Sequence, residues 1–125
     1  MIAYTLVGTN DLEKSAAFYD ALLAEIGGKR AAELNRVILY AGAKGNPFFG
    51  IAQPSNGQPA TIGNGSMVAL GAKNPEDVNR LHAKALELGA TDEGAPGPRT
   101  NLTLNFYAGY FRDPDGNKLN FFCMG

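Results

Sequence analysis

The sequence is short of the residues that build disulfides, zinc sites and membrane spans. Its 125 residues include one cysteine, one histidine and no tryptophan. A single cysteine, Cys123, excludes an intrachain disulfide and any zinc site made from several cysteines. The chain has no apolar run near the roughly 18 residues of a membrane span and no basic, cleavable leader. These absences predict a cytoplasmic protein that is stabilised by its core.

The sequence also lacks an excess of charge of either sign. Its 11 Lys and Arg residues nearly balance 12 Asp and Glu residues, which gives a formal net charge of −1. Because the basic residues are scattered, we expect neither a nucleic-acid partner nor a membrane partner. Hydrophobic residues make up 45% of the chain, enough for one globular domain over residues 1–125 with a real core.

Two segments carry the three- and four-residue apolar spacing of an amphipathic helix. The first begins at Asn10 or Asp11 and runs to Gly27, where a glycine pair supplies the stop. The second begins at Asn74, a typical N-cap residue that is followed by proline and two acids, and it ends at Gly89. Both segments therefore predict helices of three to four turns.

Strand candidates surround the two helices in the same order. They are residues 2–8, 29–34, 36–41 and 47–53 in the first half and 66–71, 90–93, 103–111 and 118–123 in the second. A shift of 63 residues places Tyr4 over Met67 and brings the strand-helix units nearly into register. The pattern predicts an α+β fold of two β-α-β-β-β modules, residues 1–55 and 66–125, joined by the turn-rich linker 54–65.

A tight turn is specified between the last two strand candidates. Asp113 can bond its own turn backbone, Pro114 presets φ at the next position, and Gly116 can take the left-handed conformation that leads into the return strand. Strands flank this turn on both sides, so we expect a closing β-hairpin.

Three segments together resemble the vicinal oxygen chelate superfamily, which includes glyoxalase I, bleomycin resistance proteins and extradiol dioxygenases. Residues 9–20 resemble its first helix, residues 59–70 its module link and fifth strand, and residues 113–117 its last turn. The resemblance implies curved mixed sheets around a cup, with the helices outside and commonly a divalent metal in the cavity. It also implies a homodimer, the usual assembly of members of this length.

The residues at the matched metal-ligand positions depart from that family's pattern. The first-strand position is Tyr4, the fourth-strand position is placed at Phe49, the fifth-strand position is Met67, and the last is Asn120. A protonated phenol, a thioether and a neutral amide are poor ligands for hard or borderline divalent ions. We therefore expect no metal and no cofactor, and no metal-dependent glyoxalase or dioxygenase chemistry of the usual kind.

The same positions predict an apolar, aromatic wall with a few polar groups, as in most small-molecule sites. The candidate ligand-binding residues are Tyr4, Phe49, Met67, Tyr107, Asn120 and Phe122. Strand alternation leaves open whether the face of Tyr107 or that of Tyr110 lines the site. Two functions remain, a metal-free module that sequesters a small organic molecule, as bleomycin resistance proteins do, and a glyoxalase-related lyase, isomerase or dioxygenase. A cavity filled by its own side chains is the third possibility.

Three further side chains receive structural interpretations. His82 is predicted to lie partly solvated on the surface of the second helix, beside the apolar stripe. Cys123 is predicted to be a small buried residue that alternates with apolar neighbours on one strand face. Arg99 is predicted to be a solvated charge in the loop 94–101, within possible reach of an anionic ligand at the rim of the cup.

Overall fold

The computed structural model of the chain describes residues 1–99 and 105–124, in two compact units, Met1–Ile62 and Gly63–Gly125. Each unit has the order β-α-β-β-β. The first contains β1 (Tyr4–Gly8), α1 (Leu12–Ala24), β2 (Lys29–Glu33), β3 (Val37–Gly42) and β4 (Gly45–Ala52), and the second contains β5 (Val68–Gly71), α2 (Pro75–Glu87), β6 (Thr91–Arg99), β7 (Phe106–Arg112) and β8 (Lys118–Met124). The predicted α+β fold of two β-α-β-β-β modules is confirmed.

The two sheets repeat the same topology. Their strand orders are β1-β4-β3-β2 and β5-β8-β7-β6, and in each sheet the first strand pairs in parallel with the last while the other pairs are antiparallel. The helices begin at Leu12 and Pro75, which are 63 residues apart, and each has 13 residues. The internal repeat read from the sequence is therefore a repeat of structure.

Both helices begin and end where their caps predict. The side chain of Asp11 accepts a hydrogen bond from the backbone N–H of Lys14 at 3.1 Å, and that of Asn74 accepts one from Asp77 at 2.8 Å. Gly27 and Gly89, just beyond the helices, have φ values of 79° and 112°, which only glycine adopts freely. These ends are specified locally and so were readable from sequence.

Each helix buries one face against the sheet of its own unit. On α1, Tyr19 and Leu22 are fully buried, and the Tyr19 ring lies 4.9 Å from that of Phe49 on β4. On α2, Val78 and Leu81 are fully buried. Burying a side chain of this size stabilises the fold by about 1.5–3 kcal/mol, so these faces hold helix and sheet together.

The turn between β7 and β8 is built as predicted. The carboxylate of Asp113 accepts hydrogen bonds from the backbone N–H groups of Asp115 at 3.0 Å and Asn117 at 2.9 Å. The N–H of Gly116 donates to the carbonyl oxygen of Asp113 at 2.8 Å, and Gly116 has a φ of 92°. The turn thus fixes the register of β7 on β8.

β6 differs from the prediction. The sequence placed a weak strand at 90–93 and a loop at 94–101, whereas β6 runs from Thr91–Arg99. Its glycines and prolines break the apolar alternation, and β-bulges interrupt its pairing with β7 around Gly94. β6 is an edge strand, where proline is tolerated although it lacks an N–H donor. The loop prediction is wrong as far as Arg99; residues 100 and 101, like the first two residues of the strand predicted at 103–111, lie outside the described residues.

His82 is buried, so the prediction of a partly solvated surface residue is wrong. The residue is 5% exposed, and its Nε2 lies 3.1 Å from Oδ1 of Asp92 and 3.0 Å from the carbonyl oxygen of Tyr110. Space for the ring exists because Gly109 lies beneath it: a Cβ there would come within 3.1 Å of the imidazole. Cys123 is buried, as predicted.

Neither α1 nor α2 could cross a membrane, and the part of the chain that the structure describes contains no other helix long and apolar enough to do so.

Candidate functional site

The first sheet has one face covered by α1 and one face without a helix. A Cβ at Gly50 would come within 2.7 Å of Leu6 and 2.6 Å of Leu39, so these side chains share the face opposite Tyr19. Tyr4 is in register with Phe48 on the same side. We call this surface, formed by Tyr4, Leu6, Leu39 and Phe48, the first helix-free face. Tyr4 is 57% exposed and Leu6 is 42% exposed.

Phe49 lies on the other side, so its predicted place on the face of Tyr4 is wrong. It pairs with Thr5 rather than with Tyr4, it is buried, and its ring contacts Tyr19 of α1. The adjacent aromatics Phe48 and Phe49 satisfy either phase of strand alternation, and sequence could not choose between them. Phe49 is a core residue of the first unit.

The second sheet is arranged in the same way. The hydroxyl of Tyr107 donates to Oδ1 of Asn79 on α2 at 2.7 Å, and Gly109 lies under His82, so this set of β7 residues faces the helix. Tyr107, a predicted ligand-binding residue, therefore lies on the helix side of the sheet, and the alternative set that contains Tyr110 lies on the opposite face. The second helix-free face comprises Phe106, Ala108, Tyr110, Lys118, Asn120 and Phe122. Met67, which directly precedes β5, is 43% exposed.

Asn120 is an unusual residue at the centre of this face. It is 3% exposed, and its Oδ1 has no hydrogen-bond partner among the described residues. It lies in register with Tyr110 on β7 and Ala69 on β5. Leaving a buried acceptor unpaired costs about 1–3 kcal/mol, so native proteins rarely do it without a reason. The acceptor capacity of this buried carboxamide oxygen is therefore unused within the described chain.

Two cations on the second helix-free face of the sheet lie close to the ring of Tyr110. The guanidinium carbon of Arg99 lies 5.1 Å from the ring centroid and the Nζ of Lys118 lies 5.3 Å from it. The guanidinium also donates to the carbonyl oxygens of Ala95 at 3.0 Å and Gly97 at 3.1 Å. Arg99 is thus held in place on a strand, and its prediction as a solvated loop charge is wrong.

The residues that the resemblance places at metal-ligand positions are not typical ligands of a divalent ion. Tyr4 offers a phenol, Met67 a thioether and Asn120 a neutral amide oxygen, none of which binds Mg²⁺, Mn²⁺ or Zn²⁺ well. Among residues 1–99 and 105–124, no three His, Cys, Asp or Glu side chains are grouped so that they could hold a metal. We derive no chemical step through a metal.

A polar network that the sequence did not reveal lies on the helix side of the first unit. Arg30 on β2 binds both carboxylate oxygens of Asp20 on α1, at 2.9 and 2.7 Å, and the Tyr40 hydroxyl on β3 donates to the same carboxylate at 2.8 Å. The hydrogen bonds from Arg30 lower the pKa of Asp20, while burial and the bond to Asp20 raise the pKa of Tyr40. A cavity of about 440 Å³ lies beside this network and is lined by residues of α1, β2 and β3. The network joins α1 to two strands.

A second cavity of the first unit, of about 380 Å³, lies beside the segment that follows β4. Its lining residues include Arg36, Gln53 and Gln58. The Arg36 guanidinium donates to the carbonyl oxygen of Gln53 at 3.0 Å, and Asn10 holds the backbone of Ala60 through hydrogen bonds of 2.6 and 3.3 Å. These bonds secure the segment against the start of α1.

The fold and sequence are similar to those of solved glyoxalase-related structures. A glyoxalase/bleomycin resistance protein from Albidiferax ferrireducens T118 is 41% identical, with a TM-score of 0.86 over 98% of this chain and 97% of that chain. A hypothetical protein from S. aureus is 26% identical, with a TM-score of 0.73 over 98% and 91%. A lactoylglutathione lyase from Agrobacterium tumefaciens, at 19% identity and a TM-score of 0.71 over 98% and 92%, shares the fold. No curated protein matches the chain.

The sequence model of one protein family covers nearly the whole chain. The match extends over residues 1–121, and so includes both units and the closing hairpin. It agrees with the repeated topology, with the turn at Asp113 and with the 41% identical relative. The chain belongs to the glyoxalase/bleomycin resistance protein/dioxygenase superfamily.

Proposed function

We propose that this protein binds a small organic molecule on the second helix-free face, with the carboxamide of Asn120 fixing the orientation of the ligand. The observation that carries the proposal is the buried, unpaired Oδ1 of Asn120. A ligand that donates a hydrogen bond to this atom removes a cost of about 1–3 kcal/mol that the free protein bears.

The side chains around Asn120 suit an apolar or aromatic ligand. The rings of Phe106 and Phe122 stack with their centroids 5.5 Å apart, and Tyr110 lies directly across from Asn120 on β7. Met67 supplies a flexible, partly exposed thioether before β5. Apolar walls with one or two placed polar groups are the usual composition of small-molecule sites.

Sequestration is favoured over metal-assisted catalysis. The 41% identical relative is described as a glyoxalase/bleomycin resistance protein, so sequence similarity alone leaves both catalysis and sequestration open. The poor metal ligands at Tyr4, Met67 and Asn120 favour binding without turnover.

We also propose that the protein is a homodimer in the cytoplasm. The first unit exposes Tyr4 and Leu6 on β1, an edge strand of its sheet, and Ile2 just before that strand. Exposed edges and apolar side chains of this kind are commonly covered by association. A reducing compartment suits the free thiol of Cys123.

The binding proposal is tested with a fragment screen read by NMR on ¹⁵N-labelled protein. Fragments that bind should shift the amides of β7 and β8, and Asn120→Ala should weaken the best of them by about tenfold, the effect of one lost buried hydrogen bond. Asn79→Ala is the matched control, because Asn79 bonds Tyr107 on the opposite side of the same sheet.

Three results would contradict the proposal. One is that no fragment shifts β7 or β8, and another is that Asn120→Ala and Asn79→Ala weaken binding equally. The third is conversion of a bound fragment over hours, which would favour the lyase, isomerase or dioxygenase alternative. Metal analysis of the purified protein completes the test: we expect a substoichiometric divalent metal content, and a stoichiometric metal would overturn the metal-free assignment.

A further inference from the structure

The charges around Tyr110 bear on the kind of molecule that the second helix-free face accepts. Arg99 and Lys118 both lie close to one aromatic ring, at 5.1 and 5.3 Å from its centroid. The ring attracts each cation, but the two positive charges on one face repel each other, and an anion nearby would reduce that repulsion. In the described part of the chain, neither cation forms an ion pair with a carboxylate, whereas the neighbouring Arg112 pairs with Glu93 at 3.0 Å.

The position of Arg99 is built into the backbone of β6. A Cβ at Gly94 would come within 3.2 Å of the Tyr110 ring and 3.7 Å of the guanidinium, and one at Gly97 would come within 3.4 Å of the guanidinium. Glycine at position 94 leaves room for the Tyr110 ring, and the guanidinium packs at ordinary contact distance above the backbone of both glycines. The carbonyl oxygens of Ala95 and Gly97 then hold it there by hydrogen bonds. The positive charge is therefore fixed before any ligand binds.

The second cation and the unpaired acceptor lie next to each other on β8. Lys118 precedes Asn120 by two residues, so the two side chains project from the same face, and Asn120 pairs with Tyr110 across to β7. The face thus offers two unpaired cations, an aromatic surface and a buried acceptor. These features are complementary to an anionic group, an aromatic or apolar body and a hydrogen-bond donor.

We propose that the ligand is a small organic anion, such as an aromatic carboxylate with a hydroxyl group, whose negative charge is attracted by Lys118 and Arg99. This inference rests on the proposed binding function and adds the charge of the ligand. The carboxylate neutralises two cations that nothing else in the described chain neutralises. The hydroxyl donates to Oδ1 of Asn120.

The test compares two probes of nearly the same shape, the anion 4-hydroxyphenylacetate and the neutral 4-hydroxyphenylacetamide. Binding to the protein is titrated by NMR at low and at high salt. We expect the carboxylate to bind about tenfold more tightly than the amide at low salt, and the difference to shrink severalfold near 0.3 M salt because the cations are partly exposed and screened.

Variants identify the charges responsible. Lys118→Gln and Arg99→Gln should each reduce the preference for the carboxylate by about threefold or more, while Arg99→Lys should keep part of it because the charge remains. Lys73→Gln removes one exposed charge from the loop before α2 in the same unit and should leave the preference unchanged. Circular dichroism of each variant confirms that it is folded.

The two proposals can fail separately. Equal binding of both probes, or a preference that Lys118→Gln and Arg99→Gln leave intact, overturns the anionic ligand while the binding function stands. If neither probe binds at concentrations up to about 10 mM, the anionic inference is likewise overturned. In that case the fragment screen with Asn120→Ala decides the binding function by itself.

Discussion

Single residues of this protein were predictable where a local pattern dictates their role, and not where tertiary neighbours decide it. Asp113 accepts the turn hydrogen bonds that its position before proline and glycine predicts. His82 was misread because nothing in its own sequence neighbourhood reveals that Gly109, 27 residues away, makes room for a buried ring. The lack of a hydrogen-bond partner for Oδ1 of Asn120 also depends on tertiary structure. A polar residue on an apolar strand was nevertheless enough to predict Asn120 as a ligand-binding residue.

His82 should stabilise the second unit as a buried link between α2, β6 and β7. His82→Ala removes a ring that is 5% exposed and leaves the Tyr110 carbonyl without its donor, so we expect a loss of about 2–3 kcal/mol in the free energy of unfolding. Urea denaturation measures it, with Glu87→Ala at an exposed position of the same helix as control. A loss below about 0.5 kcal/mol would mean that the buried imidazole is not a structural link.

Gly116 should be required by its backbone conformation. Its φ of 92° is strained for any residue with a Cβ, so Gly116→Ala should lower the free energy of unfolding by about 1–2 kcal/mol. Gly71→Ala is the matched control, because Gly71 has no positive φ and a Cβ there would meet nothing within 4 Å. Equal urea midpoints for the two variants would refute the special role of Gly116.

At the scale of elements, helices and turns were predicted well and strand faces poorly. The caps at Asp11 and Asn74 placed both helices to within a residue or two. The full length of β6 could not be predicted because its glycines and prolines give no alternating apolar pattern. The face of β4 that packs against α1 could not be predicted because two adjacent phenylalanines fit either face. The extent of a strand and the face that its side chains occupy depend on its pairing partners, which a single sequence does not reveal.

The contact between α1 and its sheet should depend on pH through Asp20. Since the hydrogen bonds from Arg30 lower the pKa of folded Asp20 below its ordinary value of 3.8, the carboxylate stabilises the fold above that pH and the contribution is lost as the pH falls through the lowered pKa. Asp20→Asn should therefore cost about 1 kcal/mol at pH 7 and progressively less below pH 4.

Urea midpoints between pH 7 and pH 3 measure this difference. Glu13→Gln serves as the control, because Glu13 is an exposed acid of the same helix. A cost of Asp20→Asn that is the same at pH 7 and pH 3 would exclude the charge of Asp20 as its origin.

At the scale of the whole molecule, the 63-residue repeat and the closing hairpin were enough to predict the architecture, and the resemblance of three segments indicated the family. Both features depend only on the order of segments along the chain, and the sequence gives that order directly. The proposed ligand site is not encoded in that order. It depends on which side chains of β7 and β8 share a face, and only the register of these strands fixes that.

The homodimer is a prediction at this scale. We expect sedimentation velocity at tens of micromolar protein to give the mass of two chains, because association covers the apolar edge along β1. Leu6→Lys, which places a charge on this exposed edge, should shift the protein toward the monomer, whereas Lys44→Gln in the β3–β4 turn should not. A monomer in the unaltered protein would contradict the prediction.

The most direct test of the central claim is a set of intermolecular nuclear Overhauser effects between a bound fragment and the side chains of the protein. Binding on the second helix-free face predicts contacts from the fragment to the Asn120 carboxamide and to the rings of Tyr110 and Phe122. Contacts confined to the cavities of the first unit, or to the α2 side of the sheet at Tyr107, would contradict the claim.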